Sequence, residues 1–231
     1  MRIEPFSVGS YVHAIKRGGR GSEIVRDDED RWRFIKTLFY LNDEYRNKNW
    51  EDDLYRQKIP LFSRPSNWPV RKPLVKLLAY ILMPNHFHLI LKEIKDGGIS
   101  LFMQGICGSM TMYFNRKYGS RGSIFQGSYK SKTVNIDEYL GRLAVYVMVK
   151  NSFELYQGGI ESAIQNFDKA FSWSLDYPFS SLADYGGNRK SPIVEKEILG
   201  DLFKSSNQFK IFSKDVMLSR SIDIDNDKSF E

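Results

Sequence analysis

Two mostly apolar runs, Val75 to Met83 and Phe87 to Ile94, stand almost back to back, with Pro84 and Asn85 between them. Runs of that length bounded by turn residues read as two adjacent strands, or as one bent strand. Val8 to Lys16 is a plausible further strand, ended by Arg17-Gly-Gly-Arg20-Gly21. Asp27 or Asp28 can cap a helix, with acidic residues in its first turn. Phe34, Leu38, Leu41 and Tyr45 give that helix an apolar stripe as far as about Tyr45.

Residues 47–73 are polar and contain proline, and read as a loop. Ser100 to Tyr118 reads as a helix with Leu101, Ile106, Met110 and Tyr113 available for its core face. Ser123 to Val134 alternates like a strand. Asn135, with Glu138 three residues on, resembles a capping box for a last helix whose buried stripe is Leu140, Leu143, Ala144 and Val147. After Asn151 the chain reads as irregular. The order β-α-β-β-α-β-α predicts an α+β fold, a ferredoxin-like sandwich in which helices cover one face of an antiparallel sheet.

The chain holds 34 Lys and Arg against 28 Asp and Glu, a net charge of +6. Residues 212–231 carry three basic and five acidic side chains, so the remainder carries +8. A basic body with a polar, acidic, weakly periodic end suggests a polyanionic partner and a mobile terminus. Basic residues cluster in Gly-containing loops beside aromatics, at Arg17 and Arg20 and from Arg116 through Arg121, which tilts the expectation toward nucleic acid. A single Cys, Cys107, excludes a disulfide framework and a Cys-rich zinc module, and fits a reducing, cytoplasmic setting. The first residues lack the apolar stretch of a secretory signal. The longest apolar run, Leu77 to Met83, is far short of the roughly 20 residues of a membrane helix.

Two of the three histidines fall in Pro84-Asn85-His86-Phe87-His88. In a strand, residues i and i+2 share a face, so His86 and His88 project together while Phe87, Leu89 and Leu91 take the other. Two imidazoles on a rigid strand make half a site for a divalent metal. On spacing alone, a pair of surface or stacking histidines outweighs a metal site.

The surrounding segment, Tyr80-Ile-Leu-Met-Pro-Asn-His-Phe-His-Leu-Ile-Leu91, resembles the histidine–hydrophobe–histidine segment of the REP-associated tyrosine transposases, relatives of the IS200-type transposases. Tyr11-Val-His-Ala-Ile-Lys-Arg17-Gly18 is similar to that family's first strand. Asp27 to Arg31 with Phe34 looks like the start of its first helix. Gly122-Ser-Ile-Phe125-Gln126-Gly127-Ser-Tyr129-Lys130, Asp137 through Tyr146-Val147, and Tyr177-Pro-Phe-Ser-Ser181 with Tyr185-Gly186 resemble later family segments, in order. The resemblance spans about residues 8–187 and implies a catalytic domain over 1–187, with an extension over 188–231.

The resemblance implies cleavage and rejoining of single-stranded DNA beside a hairpin at a repetitive palindromic (REP) element, through a 5′-phosphotyrosyl link. His86 and His88 would hold a divalent metal, Mg²⁺ or Mn²⁺. Tyr146 would be the nucleophile, with Tyr139, two turns earlier on the same flank, the runner-up. One departure stands out. The family usually has Asn four residues after the nucleophile, where a polar side chain can complete the metal site. Here that place holds Lys150, and Asn151 comes one residue later. On a regular helix Asn151 lies about 140° around from Tyr146, poorly placed for the same metal unless a π-bulge or a helix end near Lys150 restores it. Lys150 is then a candidate phosphate contact, or a cation beside the phenol.

Arg17, Arg20, Arg121, Gln126, Tyr129, Lys130 and Lys132 are the expected DNA-binding residues, as cations, an amide and a stacking ring. His13 is expected in sheet packing or DNA contact. The expected partners are single-stranded or hairpin DNA, with no membrane, for a monomer or homodimer. The alternative is a catalytically degenerate protein that binds hairpin DNA or RNA on the same fold.

Overall fold

The structure, a computed structural model, describes residues 6–134 and 138–219 of the chain. The capping box expected at Asn135 and the acidic end of the chain lie outside them. Strands β1 (Tyr11–Arg17), β2 (Val75–Leu82), β3 (His86–Glu93) and β4 (Lys130–Val134) form one sheet in the order β2-β3-β1-β4, with every neighbouring pair antiparallel. Helices α1 (Asp28–Tyr40) and α2 (Trp50–Arg56) join β1 to β2, and α3 (Gly98–Tyr118) joins β3 to β4. This is the expected α+β sandwich, and the two apolar runs are the adjacent strands β2 and β3.

Both faces of the sheet are buried, not one. Val12, Ala14, Phe87, Leu89 and Leu91 pack with Phe34, Leu38, Phe102 and Ile106 of α1 and α3. The opposite face packs Ile81 and Ile90 against Leu140, Leu143, Val147 and Phe153. Covering both faces explains why β2 is apolar at nearly every position. The register of β2 shifts between Leu77 and Ala79, so Leu78 and Ala79 go to the same core while Leu77 and Tyr80 share the other.

The second cover is helical, where an irregular chain was expected. After α4 (Glu138–Val145) come a π-helical turn (Tyr146–Lys150) and α5 (Asn151–Glu154). Then follow α6 (Gly159–Gln165), α7 (Phe167–Leu175), α8 (Leu182–Tyr185), α9 (Glu197–Leu202) and α10 (Ser206–Leu218). Most of these pieces are two turns or less, too short for a periodic signal.

Other boundaries moved because of contacts between residues distant in the sequence. Helix α1 stops at Tyr40 because the Asn42 amide bonds the start of β2 instead. Its Oδ1 accepts from the backbone N–H of Leu74 and Val75, and its Nδ2 donates to the Val75 carbonyl. In the expected loop 47–73, α2 is anchored by buried Trp50, which stacks on Tyr40. On α3 the core face is Phe102, Met103, Ile106 and Met110, whereas Leu101 is 40% exposed. Of Ser123 to Val134 only the last five residues are strand. Ahead of them the buried Lys16 ammonium donates to the carbonyls of Gln126 and Gly127 and holds an irregular loop.

The Tyr-Pro-Phe-Ser-Ser segment closes the free edge of β2. Leu82 N–H donates to the Phe179 carbonyl and Ser181 N–H to the Tyr80 carbonyl, both at 2.9 Å. The hydroxyls of Tyr177 and Tyr185 donate to the carbonyls of Leu82 and Leu78. An edge covered in this way has no backbone left to recruit a foreign strand.

Candidate functional site

His86 and His88 leave β3 on the face opposite Phe87 and Leu89, toward the helices that follow β4. Their ring centroids are 5.0 Å apart. The register of β1 against β3 sets Arg17 opposite His86 and Ile15 opposite His88, which brings His13 diagonally beside His88. His13 Nε2 lies 2.9 Å from His88 Nδ1, with the rings stacked. The Tyr146 ring stands edge-on to both, 5.4 Å from His88 and 6.1 Å from His13.

The turn that carries Tyr146 resolves the displaced asparagine. From Tyr146 to Lys150 the backbone is π-helical, and the N–H of Asn151 donates to the carbonyl of Tyr146. An i→i+5 bond brings residue i+5 to where i+4 stands in an α-helix. Asn151 therefore returns to the side of Tyr146, and its Nδ2 also donates to the Tyr146 carbonyl at 2.9 Å. Arg17, His86, Gln126, Tyr146, Lys150 and Asn151 then line one cleft of about 340 Å³.

Asn85 was passed over in the sequence although it stands directly before His86. Its Nδ2 donates to the Gly21 carbonyl at 3.3 Å, which turns Oδ1 toward His86 Nδ1 at 2.7 Å. A carbonyl oxygen can only accept, so Nδ1 of His86 carries a proton, and in the neutral ring Nε2 keeps the lone pair. Nε2 of His88 is buried and makes no hydrogen bond. Burial, and then the neighbouring His13, His86, Arg17 and Lys150, hold the His88 pKa well below the usual 6.5. Burial and then Lys132 lower His13 to about 4. Both rings are thus neutral at neutral pH, the state in which imidazole binds metal.

Lys150 lies 5.1 Å from the centre of the Tyr146 ring and pairs with Glu154 at 2.6 Å. Glu154 also lines the cleft, a carboxylate that the sequence did not single out. Tyr139 is half-buried on α4 beneath the Lys132 ammonium and does not line the cleft. Lys130 and Lys132 pair with Ile15 and His13 and so project on the histidine side of the sheet. Tyr129 goes to the other side, where its hydroxyl meets Ser100 at 3.2 Å. Arg20 and Arg121 are exposed in loops, Arg20 with a left-handed φ of 54°.

Among the described residues no three His, Cys, Asp or Glu side chains are grouped to hold a metal, so a site here would combine the two histidines with the Asn151 amide. A larger groove of about 650 Å³ lies by α1, α2 and α3. Its lining mixes Glu29, Glu51 and Asp52 with Lys36, Lys58 and Arg116 and includes no histidine.

An antiparallel α+β sandwich with two histidines on a central strand and a tyrosine on a following helix is the class of molecule these observations define. Residues 41–150, which include β2, β3, α3, β4, α4 and the Tyr146 turn, match the model of the family described as "Transposase IS200 like". This stretch, a little under half of the chain, is similar to IS200-like transposases, the resemblance the motifs led us to expect. No curated protein matches the chain. A solved structure of a REP-associated tyrosine transposase bound to a REP hairpin is similar at 14% identity, over 84% of this chain and 89% of that one, with a TM-score of 0.44. Among the described residues no helix is long and apolar enough to cross a membrane.

Proposed function

We propose that this chain cleaves and rejoins single-stranded DNA beside hairpins, with Tyr146 as the nucleophile and a divalent cation, Mg²⁺ or Mn²⁺, held by His86 and His88. The observation that carries this reading is the convergence of Tyr146, His86 and Asn151 on one cleft through a π-helical turn. The residues fit a cation: His86 has its Nε2 lone pair set by Asn85, the Nε2 of His88 is buried without a hydrogen bond, and Asn151 is the candidate third ligand. Such an ion, when bound, polarises the scissile phosphate and offsets its developing charge.

The Tyr146 phenol oxygen attacks phosphorus and releases its proton to solvent. The bond from phosphorus to the 3′ oxygen of the preceding nucleotide breaks, and that oxygen takes up a proton as a free 3′-OH. The phosphotyrosyl bond keeps the energy of the phosphodiester, so another 3′-OH can displace the phenol and restore a DNA strand without an external energy source. Arg17 and Gln126 in the cleft, and Lys130 and Lys132 on the same side of the sheet, would hold the strand, with Arg20 and Arg121 extending the basic surface. Tyr129, on the other side, would stack only on DNA that wraps past β4.

One observation favours the degenerate hairpin-binding alternative. Glu154 is paired with Lys150 inside the cleft, where a carboxylate opposes a phosphate. A cleavage assay on a hairpin oligonucleotide with a single-stranded flank, in Mn²⁺, separates the two readings. The enzymatic reading expects cleavage by the wild type and a loss of about 100-fold or more in His86→Ala, with hairpin affinity kept within a few-fold. Hairpin binding by the wild type without cleavage would favour the alternative.

A further inference from the structure

We infer that Lys16 is a positioning residue that holds Gln126 beside Arg17 and His86, so that Gln126 contacts the nucleotide next to the scissile phosphate; this rests on the strand-cleaving role proposed above for the cleft. Val12, Ala14 and Lys16 alternate onto one face of β1, the face that packs on α1 and α3. Val12 and Ala14 are core residues there, but the next place in the row is an ammonium, and Lys16 is only 5% exposed. Among the described residues no carboxylate pairs with it. It donates instead to the main-chain carbonyls of Gln126, at 3.3 Å, and of Gly127, above the ring of Phe125. Burial of an ammonium costs stability unless its donors are satisfied, and an apolar side chain would fill the same space without that cost. The lysine is therefore explained by what it holds, the course of residues 125–127.

That course sets what stands in the cleft on the other face of the sheet. The Gln126 N–H donates to the Arg17 carbonyl at 2.9 Å and the Gly19 N–H to the Ile124 carbonyl at 2.8 Å, on either side of an antiparallel bridge between Gly18 and Phe125. Phe125 turns to the first core, where its ring meets Phe87. Its neighbour Gln126 falls opposite Arg17 in the same register, and Arg17 falls opposite His86. Residues opposite one another share a face, so His86, Arg17 and Gln126 form a row across three segments, about 5 Å from one to the next. All three line the cleft. A strand whose scissile phosphate lies at His86 and that runs along this row brings its next nucleotide over Arg17 and Gln126. The guanidinium meets the phosphate of that nucleotide, and the amide, which can both donate and accept, meets a base edge. Lys16 stays buried on the far face and touches no DNA.

Lys16→Met keeps the length of the stem and fills the core but cannot donate. Amide hydrogen exchange on the metal-free full chain should show the Gln126 N–H at least about tenfold faster in Lys16→Met than in the wild type, with the amides of β2 unchanged. An unchanged Gln126 rate would overturn the holding role. Affinity for a hairpin oligonucleotide with a single-stranded flank, followed by fluorescence anisotropy without added metal, should fall about tenfold in Lys16→Met and in Gln126→Ala, and no further in the double variant. Losses that multiply in the double variant, or no loss in Lys16→Met, would overturn the inference. An abasic site moved along the flank should weaken the wild type at one position that Gln126→Ala no longer senses; the absence of such a position, or of any binding by the wild type, would overturn the contact with DNA. A wild type that binds the oligonucleotide but does not cleave it in Mn²⁺ would sink the catalytic reading alone, since exchange and the affinity cycle would still decide the role of Lys16.

Discussion

At the scale of single residues, the useful property of His13 and His88 is that burial keeps them neutral. His13 takes up a proton near pH 6.5 in the unfolded chain, but only near 4 when folded. Between those values the unfolded state binds more protons, so stability is full above about pH 6.5 and is lost as the pH falls toward 4. A shift of that size corresponds to about 3 kcal/mol below both values. Urea unfolding at pH 7.5 and 4.5 should show a loss from which His13→Gln removes about 2–3 kcal/mol; an unchanged loss in that variant would contradict the burial argument. The His-Phe-His pair was legible in the sequence because period two needs no tertiary knowledge. The contact between His13 and His88 was not, because it depends on the register of β1 against β3, and nothing local to either strand encodes that register.

At the scale of elements, the π-helical turn decides whether the tyrosine and the asparagine can work together. A regular helix would separate them by about 140°. The extra residue is absorbed within Tyr146 to Lys150, so α5 begins with Asn151 beside Tyr146. Deleting Lys150 should therefore convert the turn to α-helix, put the asparagine four residues after Tyr146 and leave the downstream helices in place. Thermal melting of that deletion should stay within a few degrees of the wild type; collapse of the cooperative transition would show that the turn is needed for packing rather than tolerated. The sequence could state this turn only as a condition, since its hydrophobic stripe fits either helix. Asn42 illustrates a similar limit. It ends α1 through bonds to residues more than thirty positions away, which no local pattern announces.

At the scale of the whole molecule, the sheet has two cores, and the second is completed from the far end of the chain. Ile193 is buried against the first core and Leu199, Phe209, Val216 and Met217 are buried in the second, where α9 and α10 pack against α4. Removing five such side chains forfeits about 10 kcal/mol at roughly 1.5–3 each, comparable to a domain's whole stability of about 5–15. Truncation after residue 187 should therefore abolish cooperative melting; a truncated chain that melts like the full one would contradict the packing. The same cover holds α4 and the Tyr146 turn against β2 and β3, so the extension and the cleft share one core. The most direct test of that cleft is to incubate the protein with a hairpin oligonucleotide and Mn²⁺, digest it, and locate the nucleotide adduct by peptide mass spectrometry. The account predicts a 5′-phosphate link on Tyr146, absent from Tyr146→Phe. A link on Tyr139, or an adduct that survives Tyr146→Phe, would contradict it.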